Sequence, residues 1–182
     1  MASMTTLEET MPERDDLLAL VTDQRTNFLF TLENLDDTRA RARTTVSELT
    51  LGGLLKHLGL VQRSWLDVIE GTAPAKVDWA DLDPDGNRMT AVETLPELLE
   101  AFHAAAAAFD RTVREEADFD REVTLPSYPW SPPEPVRWTV RRVLWHIFRE
   151  IAHHSGHADI IREALDGAST TAKMAEAASR GK

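Results

Sequence analysis

Cysteine is absent from all 182 positions of the sequence, and positive charge is scarce. Without cysteine the chain has no disulfide bonds, no thiolate metal ligands and no cysteine nucleophile, so a reacting thiol has to come from a second molecule. The 20 Lys and Arg residues are outnumbered by 31 Asp and Glu residues, which gives a formal net charge of −11. Because this field repels phosphate groups, we expect no nucleic acid and no anionic membrane as partners.

Long apolar runs are missing as well. None approaches the roughly 20 residues that a transmembrane helix requires. Residues 1–14 also lack the basic start and the apolar stretch of a signal peptide. We therefore predict a cytoplasmic protein. Hydrophobic residues make up 42% of the chain, which is enough for one domain with a hydrophobic core.

Helical periodicity is the main pattern that the sequence does contain. Apolar residues recur at spacings of three and four over residues 12–35, 51–70 and 139–165, and over a third segment that begins near residue 94 and continues through the alanine-rich stretch 104–108. Residues typical of helix ends flank these segments; they are Pro12, Thr50, Thr94, Glu97, Gly71 and Gly167. The pattern predicts an all-α fold, a four-helix bundle in one domain over residues 12–167. We expect residues 1–11 to be flexible and the tail, residues 168–182, to be either mobile or a short docked helix.

Two long connections, residues 71–93 and 117–138, follow the second and third predicted helices. Both exceed the usual helix–helix loop of about 2–8 residues. Connections of this length are either covers over a functional site or crossovers that pass over one end of a bundle. The sequence favours neither interpretation.

Titratable residues cluster on the last predicted helix. They are His146, Glu150, His153, His154 and His157. At about 100° per residue, all five fall within a stripe roughly 100° wide. Nearby apolar residues place the core-facing direction roughly 80° from His146; these are Val143, Ile147, Ala158 and Ile161. On this projection Glu150 and His154 point into the core, and the other three histidines lie on its flank.

Glu150 and His154 are four residues apart, so both side chains can reach one point. A carboxylate directed at an apolar face is costly unless it is paired or bound to metal. His57, on the buried side of the second predicted helix, offers a third ligand. Two imidazoles and one carboxylate suit Zn²⁺, Ni²⁺, Fe²⁺ or Mn²⁺ and leave coordination positions open, as a catalytic site requires.

Other interpretations of these residues stay open. His57 is also explained by a hydrogen-bonded core histidine, and Glu150 by a buried ion pair with Arg63 or Arg142. The flanking histidines are either hydrogen-bond partners and proton carriers for the site or helix-surface residues. Three tryptophans either line an apolar pocket or pack in the core: Trp65, Trp138 and Trp145. Three further residues are expected at the surface: His103, Asp159 and Arg162.

Three segments carry a resemblance to a known family. They are Leu-Leu-Lys-His-Leu around His57 followed by Trp65, Arg137–Trp138, and the run from Val143 to Glu163. In this order they resemble the DinB/YfiT-like superfamily of four-helix metalloproteins, in particular an actinobacterial DinB-like domain of unknown function. Glu150 stands where that pattern usually has a histidine. With a glutamate at this position the sequence resembles the N-terminal domain of mycothiol-dependent maleylpyruvate isomerase. This resemblance implies a zinc ion held by His57, Glu150 and His154.

The resemblance also implies a reaction. Members of this superfamily include transferases in which a metal activates a low-molecular-weight thiol, such as mycothiol, to attack an electrophilic small molecule. His157 and His153 are then the candidate catalytic proton carriers, and the resemblance implies a homodimer. Two alternatives stay open, namely a non-catalytic metal- or ligand-binding stress protein and a metal-dependent hydrolase.

Overall fold

The computed structural model describes residues 12–180, which are mostly helical. In chain order the helices are α1 (Glu13–Phe30), α2 (Asp37–Ala40), α3 (Leu51–Glu70), α4 (Leu95–Glu115), α5 (Val140–Asp166) and α6 (Thr170–Arg180). In the chain segment that connects α4 to α5, two short strands, β1 (Glu122–Thr124) and β2 (Arg137–Thr139), form an antiparallel pair. The predicted all-α fold is confirmed. The segment predicted to be flexible, residues 1–11, lies outside the described residues.

Four long helices surround one hydrophobic core. Both α1 and α3 pack against α4 and α5. The largest buried side chains are Phe28, Phe102 and Phe109, and leucines of α3 fill much of the space around them. Among residues 12–180, no helix combines the length and the apolar character needed to cross a membrane.

Local side-chain chemistry sets most of the helix ends. The Thr50 hydroxyl accepts a hydrogen bond from the Gly53 N–H at the start of α3, and Thr94 and Glu97 form a reciprocal capping box at the start of α4. Gly71 and Gly167 end α3 and α5 with φ angles of 73° and 79°, in the left-handed region that favours glycine. These ends are the ones that the sequence predicted.

The first helix is shorter than predicted. It begins at Glu13, with Pro12 in the cap position, and it ends at Phe30 instead of near Leu35. The Thr31 hydroxyl donates to the Phe28 carbonyl at 2.6 Å, and Asn34 takes a positive φ of 58°. The chain therefore turns out of the helix toward α2.

The buried face of α5 is rotated from the predicted one. Its buried residues are Val140, Val143, Leu144, Ile147, Ile151, Ser155, Ala158, Ile161 and Arg162. Their mean direction is about 120° from His146, compared with the roughly 80° expected, because Leu144 and Ile151 are buried and extend the buried face to about 160°. Glu150 therefore lies at the edge of the buried face, with 20% of its side chain exposed, and the expectation that it points into the core is wrong.

Arg162 is buried, so its predicted place in a surface ion pair is also wrong. Its guanidinium donates to the carbonyls of Thr31 and Glu33, each at 2.9 Å, and to Asp166 at 2.9 Å. These carbonyls belong to the turn after α1, where no backbone N–H of a following helical turn is available to donate to them. Arg162 thus joins the end of α1 to α5.

The described part of the C-terminal tail forms α6. The Asp159 carboxylate accepts hydrogen bonds from the backbone N–H and the hydroxyl of Thr170, both at 2.9 Å. Lys173 forms an ion pair with Glu33, next to the end of α1. The tail is therefore a docked helix over residues 170–180.

The first long connection, residues 71–94, packs closely on the start of α3. A Cβ atom added at Gly52 would lie 2.5 Å from the Met89 sulfur, and one added at Gly53 would lie 2.5 Å from the Asn87 carbonyl oxygen. Lys56 also bonds Glu93 at 2.9 Å and lies 3.7 Å from Asp83. Two glycines and one lysine thus hold this connection over the end of α3 that carries His57.

Candidate metal centre

The three predicted metal ligands lie together between α3 and α5. His57 comes from α3, and Glu150 and His154 come from successive turns of α5. One nitrogen or oxygen atom from each lies within 4.8 Å of the other two. His154 Nε2 is 3.8 Å from Glu150 Oε2, and the rings of His57 and His154 meet edge to face at 4.8 Å. All three residues are half-buried, so the site sits at the rim of the core with access to solvent.

The two histidines are held in their neutral form. Burial lowers the pKa of His154 to about 4, and the neighbouring His57, His153 and His157 contribute in the same direction, against Glu150. Burial also lowers the pKa of His57, and this outweighs the opposing effects of Glu150 and Asn87. At neutral pH both imidazoles therefore offer nitrogen lone pairs to a cation.

Glu150 is held in its ionised form. Burial alone would raise the pKa of its carboxyl group, but a hydrogen bond from Arg149 at 2.9 Å and the nearby charge of His146 lower the pKa below its usual value. His146 Nε2 lies 3.6 Å from Glu150 Oε1. The site thus combines one anionic oxygen donor with two neutral nitrogen donors, and this set fits a divalent cation.

Neither of the ion pairs considered for Glu150 is formed. Arg63 binds Asp67 and Glu70 along its own helix. Arg142 places its guanidinium over the Trp138 ring, 4.1 Å from the ring centroid. The partner of Glu150 is Arg149, whose side chain is 69% exposed. This exposed partner leaves the carboxylate accessible at the rim of the core.

Two of the three flanking histidines, His153 and His157, lie beside His154. His157 Nδ1 lies 3.2 Å from His154 Nδ1, so one of the two rings donates to the other. This contact leaves His154 Nε2 directed toward Glu150. The exposed ring of His153 lies 4.6 Å from that of His157. His103, on α4, is exposed as predicted.

Asn87 is a site residue that the sequence did not reveal. It belongs to the connection after α3, and its side chain lies beside His57, where it opposes the lowering of the His57 pKa. The signal available in the sequence was the pair Gly52–Gly53, because two glycines inside a helix indicate close approach of another segment. This connection therefore packs beside His57, on one side of the site.

Two tryptophans stand on the other side of Glu150. The Trp65 and Trp138 rings are stacked in parallel at 5.1 Å, and both meet the edge of His146, at 4.6 and 5.5 Å. Both predicted roles apply to these two rings: they pack against the hydrophobic core and they line a cavity of about 270 Å³. Trp145 instead packs edge to face on Phe148.

Comparison with known proteins agrees with this description. The fold is similar to the crystal structure of a conserved protein from Enterococcus faecalis, with a TM-score of 0.67 over 87% of this chain and 99% of that one, at 15% sequence identity. No curated protein sequence matches the chain significantly. The family model described as mycothiol-S-transferase matches residues 16–167, which include every residue of the site. The DinB-like resemblance is thereby confirmed, and the chain belongs to the mycothiol-S-transferase family.

Proposed function

We propose that this protein is a divalent-metal-dependent transferase that joins the sulfur of mycothiol, or of a similar low-molecular-weight thiol, to an electrophilic small molecule. The observation that carries the proposal is the convergence of His57, Glu150 and His154 within 4.8 Å in a chain of this family. Because the chain has no cysteine, the nucleophilic sulfur is imported.

His57, Glu150 and His154 would hold the cation. Two neutral imidazoles and one carboxylate leave a coordination position open, and zinc is the metal that most often takes such a set; nickel, iron and manganese are alternatives. A thiol bound to such a cation loses its proton near neutral pH. A cytoplasmic location is part of the proposal, because reducing compartments keep small thiols in the reduced form.

The reaction balances without an oxidant or a reductant. With a halogenated substrate, the thiolate sulfur forms a bond to carbon while the carbon–halogen bond breaks and the halide leaves with its electron pair. With an epoxide, the carbon–oxygen bond breaks and the alkoxide takes up a proton. We propose that His157, half-buried beside His154, takes up the proton that the thiol loses and, with an epoxide, delivers it to the alkoxide. With a halogenated substrate the exposed His153 passes this proton to solvent.

Metal content and thiol consumption test the proposal on one protein sample. Wild type should contain about one divalent metal per chain and should consume mycothiol when given a halogenated or epoxide electrophile, with the thioether identified by mass spectrometry. Glu150→Ala should lose both properties. His103→Ala, which changes an exposed histidine outside the site, should keep both.

The outcome separates this proposal from its alternatives. A metal-loaded protein that consumes no thiol with any electrophile would contradict transfer. Ester or amide cleavage by the same sample would favour a hydrolase, and a metal-loaded protein inactive in both assays would favour a binding role. Full metal content in Glu150→Ala would remove Glu150 from the proposed ligand set.

A further inference from the structure

A cavity with aromatic walls lies between α3 and the segment that contains β1 and β2. Its volume is about 270 Å³, and its walls include Trp65, Trp138, Tyr128, Trp130 and Val136. Apolar cavities of about 150 Å³ accommodate benzene. The volume here is therefore enough for a substituted aromatic ring or for two fused rings.

The aromatic walls are held in place before any ligand arrives. The Trp65 and Trp138 rings are parallel within 5°, and Arg142 covers Trp138 at 4.1 Å. Tyr128 stacks on Trp130 at 5.0 Å, with 14° between the ring planes. Trp130 nevertheless remains 61% exposed. An exposed indole next to a preformed cavity is typical of a binding site, because a ligand would remove this apolar surface from water.

The polar groups of the lining limit the chemistry of the ligand. None of the lining residues carries a charge, and the side-chain hydroxyl groups are those of Ser64, Ser131 and Tyr128. The Ser131 hydroxyl already accepts a hydrogen bond from the Tyr128 backbone N–H. A charged ligand would find no opposite charge in this lining, and a polyhydroxylated one would recover only part of its hydrogen bonds to water, whereas a flat apolar ring would lose little.

The cavity and the metal centre share a neighbour. Trp65 and Trp138 both contact His146, and His146 Nε2 lies 3.6 Å from Glu150 Oε1. We propose that the cavity binds the aromatic ring of the electrophilic substrate, so that planar aromatic compounds are the substrate class. This inference rests on the proposed function, but the binding that it predicts requires neither metal nor thiol.

Calorimetric titration of the metal-free protein with 2-naphthol, without thiol, tests the inference. Its saturated analogue decahydro-2-naphthol is the ligand control, because it keeps the hydroxyl group and the carbon skeleton but is not planar. Wild type should bind 2-naphthol at one site, and at least ten-fold more tightly than the saturated analogue. Val136→Trp, which fills the cavity, should weaken 2-naphthol binding by at least ten-fold.

Two further variants separate loss of the site from loss of the fold. Trp130→Ala changes an exposed ring and should weaken binding roughly three- to ten-fold, as expected for loss of one aromatic contact. Trp145→Phe changes a tryptophan outside the cavity and should bind like wild type. Equal affinity in all variants, no binding by wild type, or displacement of 2-naphthol by mycothiol would overturn the inference.

The same experiments test the proposed function independently of the aromatic site. Binding of 2-naphthol without thiol transfer would leave the aromatic site intact and contradict the transferase. Transfer of thiol without 2-naphthol binding would support the transferase and contradict the aromatic site. Glu150→Ala should bind 2-naphthol like wild type, because the cavity does not include that residue.

Discussion

Glu150 lies at the edge of the buried face of α5, and this position determines how the site works. A carboxylate in the middle of the core would tend to be protonated or neutralised by a buried cation. Here Arg149 and His146 keep the pKa of the carboxyl group low, and 20% of the side chain remains exposed. An ionised, accessible carboxylate beside two neutral imidazoles would bind a divalent cation, as proposed, without first losing a proton.

The low pKa of His154 predicts a loss of stability in acid for the metal-free protein. The pKa is about 4 in the folded chain and about 6.5 in the unfolded chain. Between these values the unfolded state binds a proton at His154 and the folded state does not. The free energy of unfolding therefore falls as the pH decreases from about 6.5 to about 4, and the contribution of His154 is constant outside this interval.

Thermal unfolding at several pH values measures this effect. Wild type and His154→Gln are compared without metal, and the variant should show a weaker decrease of melting temperature over the same interval. Part of the decrease should remain, because burial also lowers the pKa of His57 and His146. Proton NMR of the wild-type histidines gives a direct check. A His154 ring that titrates near pH 6.5 would contradict the prediction.

Buried polar residues show where sequence reasoning stops at the residue scale. Gln62 is completely buried, and its side-chain oxygen accepts two hydrogen bonds from Arg25, which in turn pairs with Asp110 at 2.7 Å. These residues belong to three different helices. Gln62 lies four residues from the buried Leu58 and Leu66, so helical periodicity places it on the buried face. The charged partner that its oxygen binds, Arg25, is 37 positions away in the chain, and no local pattern identifies it. Arg162 was misplaced at the surface for the same reason.

Among the helices, those whose ends are set by local chemistry were predicted correctly. The capping residues of α3, α4 and α5 lie within three positions of the backbone groups that they bind, so the sequence contains both partners. The end of α1 and the rotation of α5 depend on contacts with other helices. A rotation of about 40° did not separate Glu150 from His154, because residues four apart stay on one side of a helix.

The glycine pair at the start of α3 predicts an unusual response to alanine. In most helical positions glycine-to-alanine substitution stabilises, by up to about 1 kcal/mol. At Gly53 the new Cβ would lie 2.5 Å from the Asn87 carbonyl oxygen, a backbone atom that cannot turn away. We expect Gly53→Ala to destabilise the protein by about 1–3 kcal/mol and to weaken metal binding, because the shifted connection moves Asn87 away from His57.

Gly156 provides the matched control. It lies in α5, two positions from His154, and an added Cβ would meet nothing within 4 Å. Gly156→Ala should therefore raise the free energy of unfolding by up to about 1 kcal/mol. Urea unfolding of both variants, with metal affinity measured on the same samples, compares the two glycines. A Gly53→Ala protein as stable as Gly156→Ala would show that the connection is not tightly packed on α3.

At the scale of the whole molecule, the sequence predicted the helices and the convergence of His57, Glu150 and His154, but not the walls around them. The convergence of the three residues could be predicted from the sequence because two of them are four residues apart and the third stands among buried leucines. The covering connection and the aromatic cavity are built from segments without a regular period, rich in proline or aspartate. Their conformation is set by contacts such as the packing of Met89 on Gly52. The glycine pair indicates that another segment approaches α3 there, but no sequence spacing identifies that segment.

The position of the triad across two helices predicts that metal stabilises the entire fold. His57 belongs to α3 and the other two ligands to α5, so a cation bound to all three links helices that are far apart in the chain. The unfolded chain loses this arrangement and binds metal weakly. At free zinc about 100 times the dissociation constant, the folded state gains about 2.7 kcal/mol. For a chain of this size, this gain corresponds to a rise in melting temperature of roughly 5–11 °C.

Calorimetric unfolding of chelator-treated protein, with and without added zinc, measures that rise. Excess chelator should reverse it. Glu150→Ala and His57→Ala should each remove most of it, although their substitutions lie on different helices, whereas His103→Ala should retain it. A stabilisation that survives loss of either ligand would mean that zinc binds elsewhere, for example at His153 and His157 on α5 alone. Loss in both variants would place the metal between α3 and α5, where the proposed chemistry requires it.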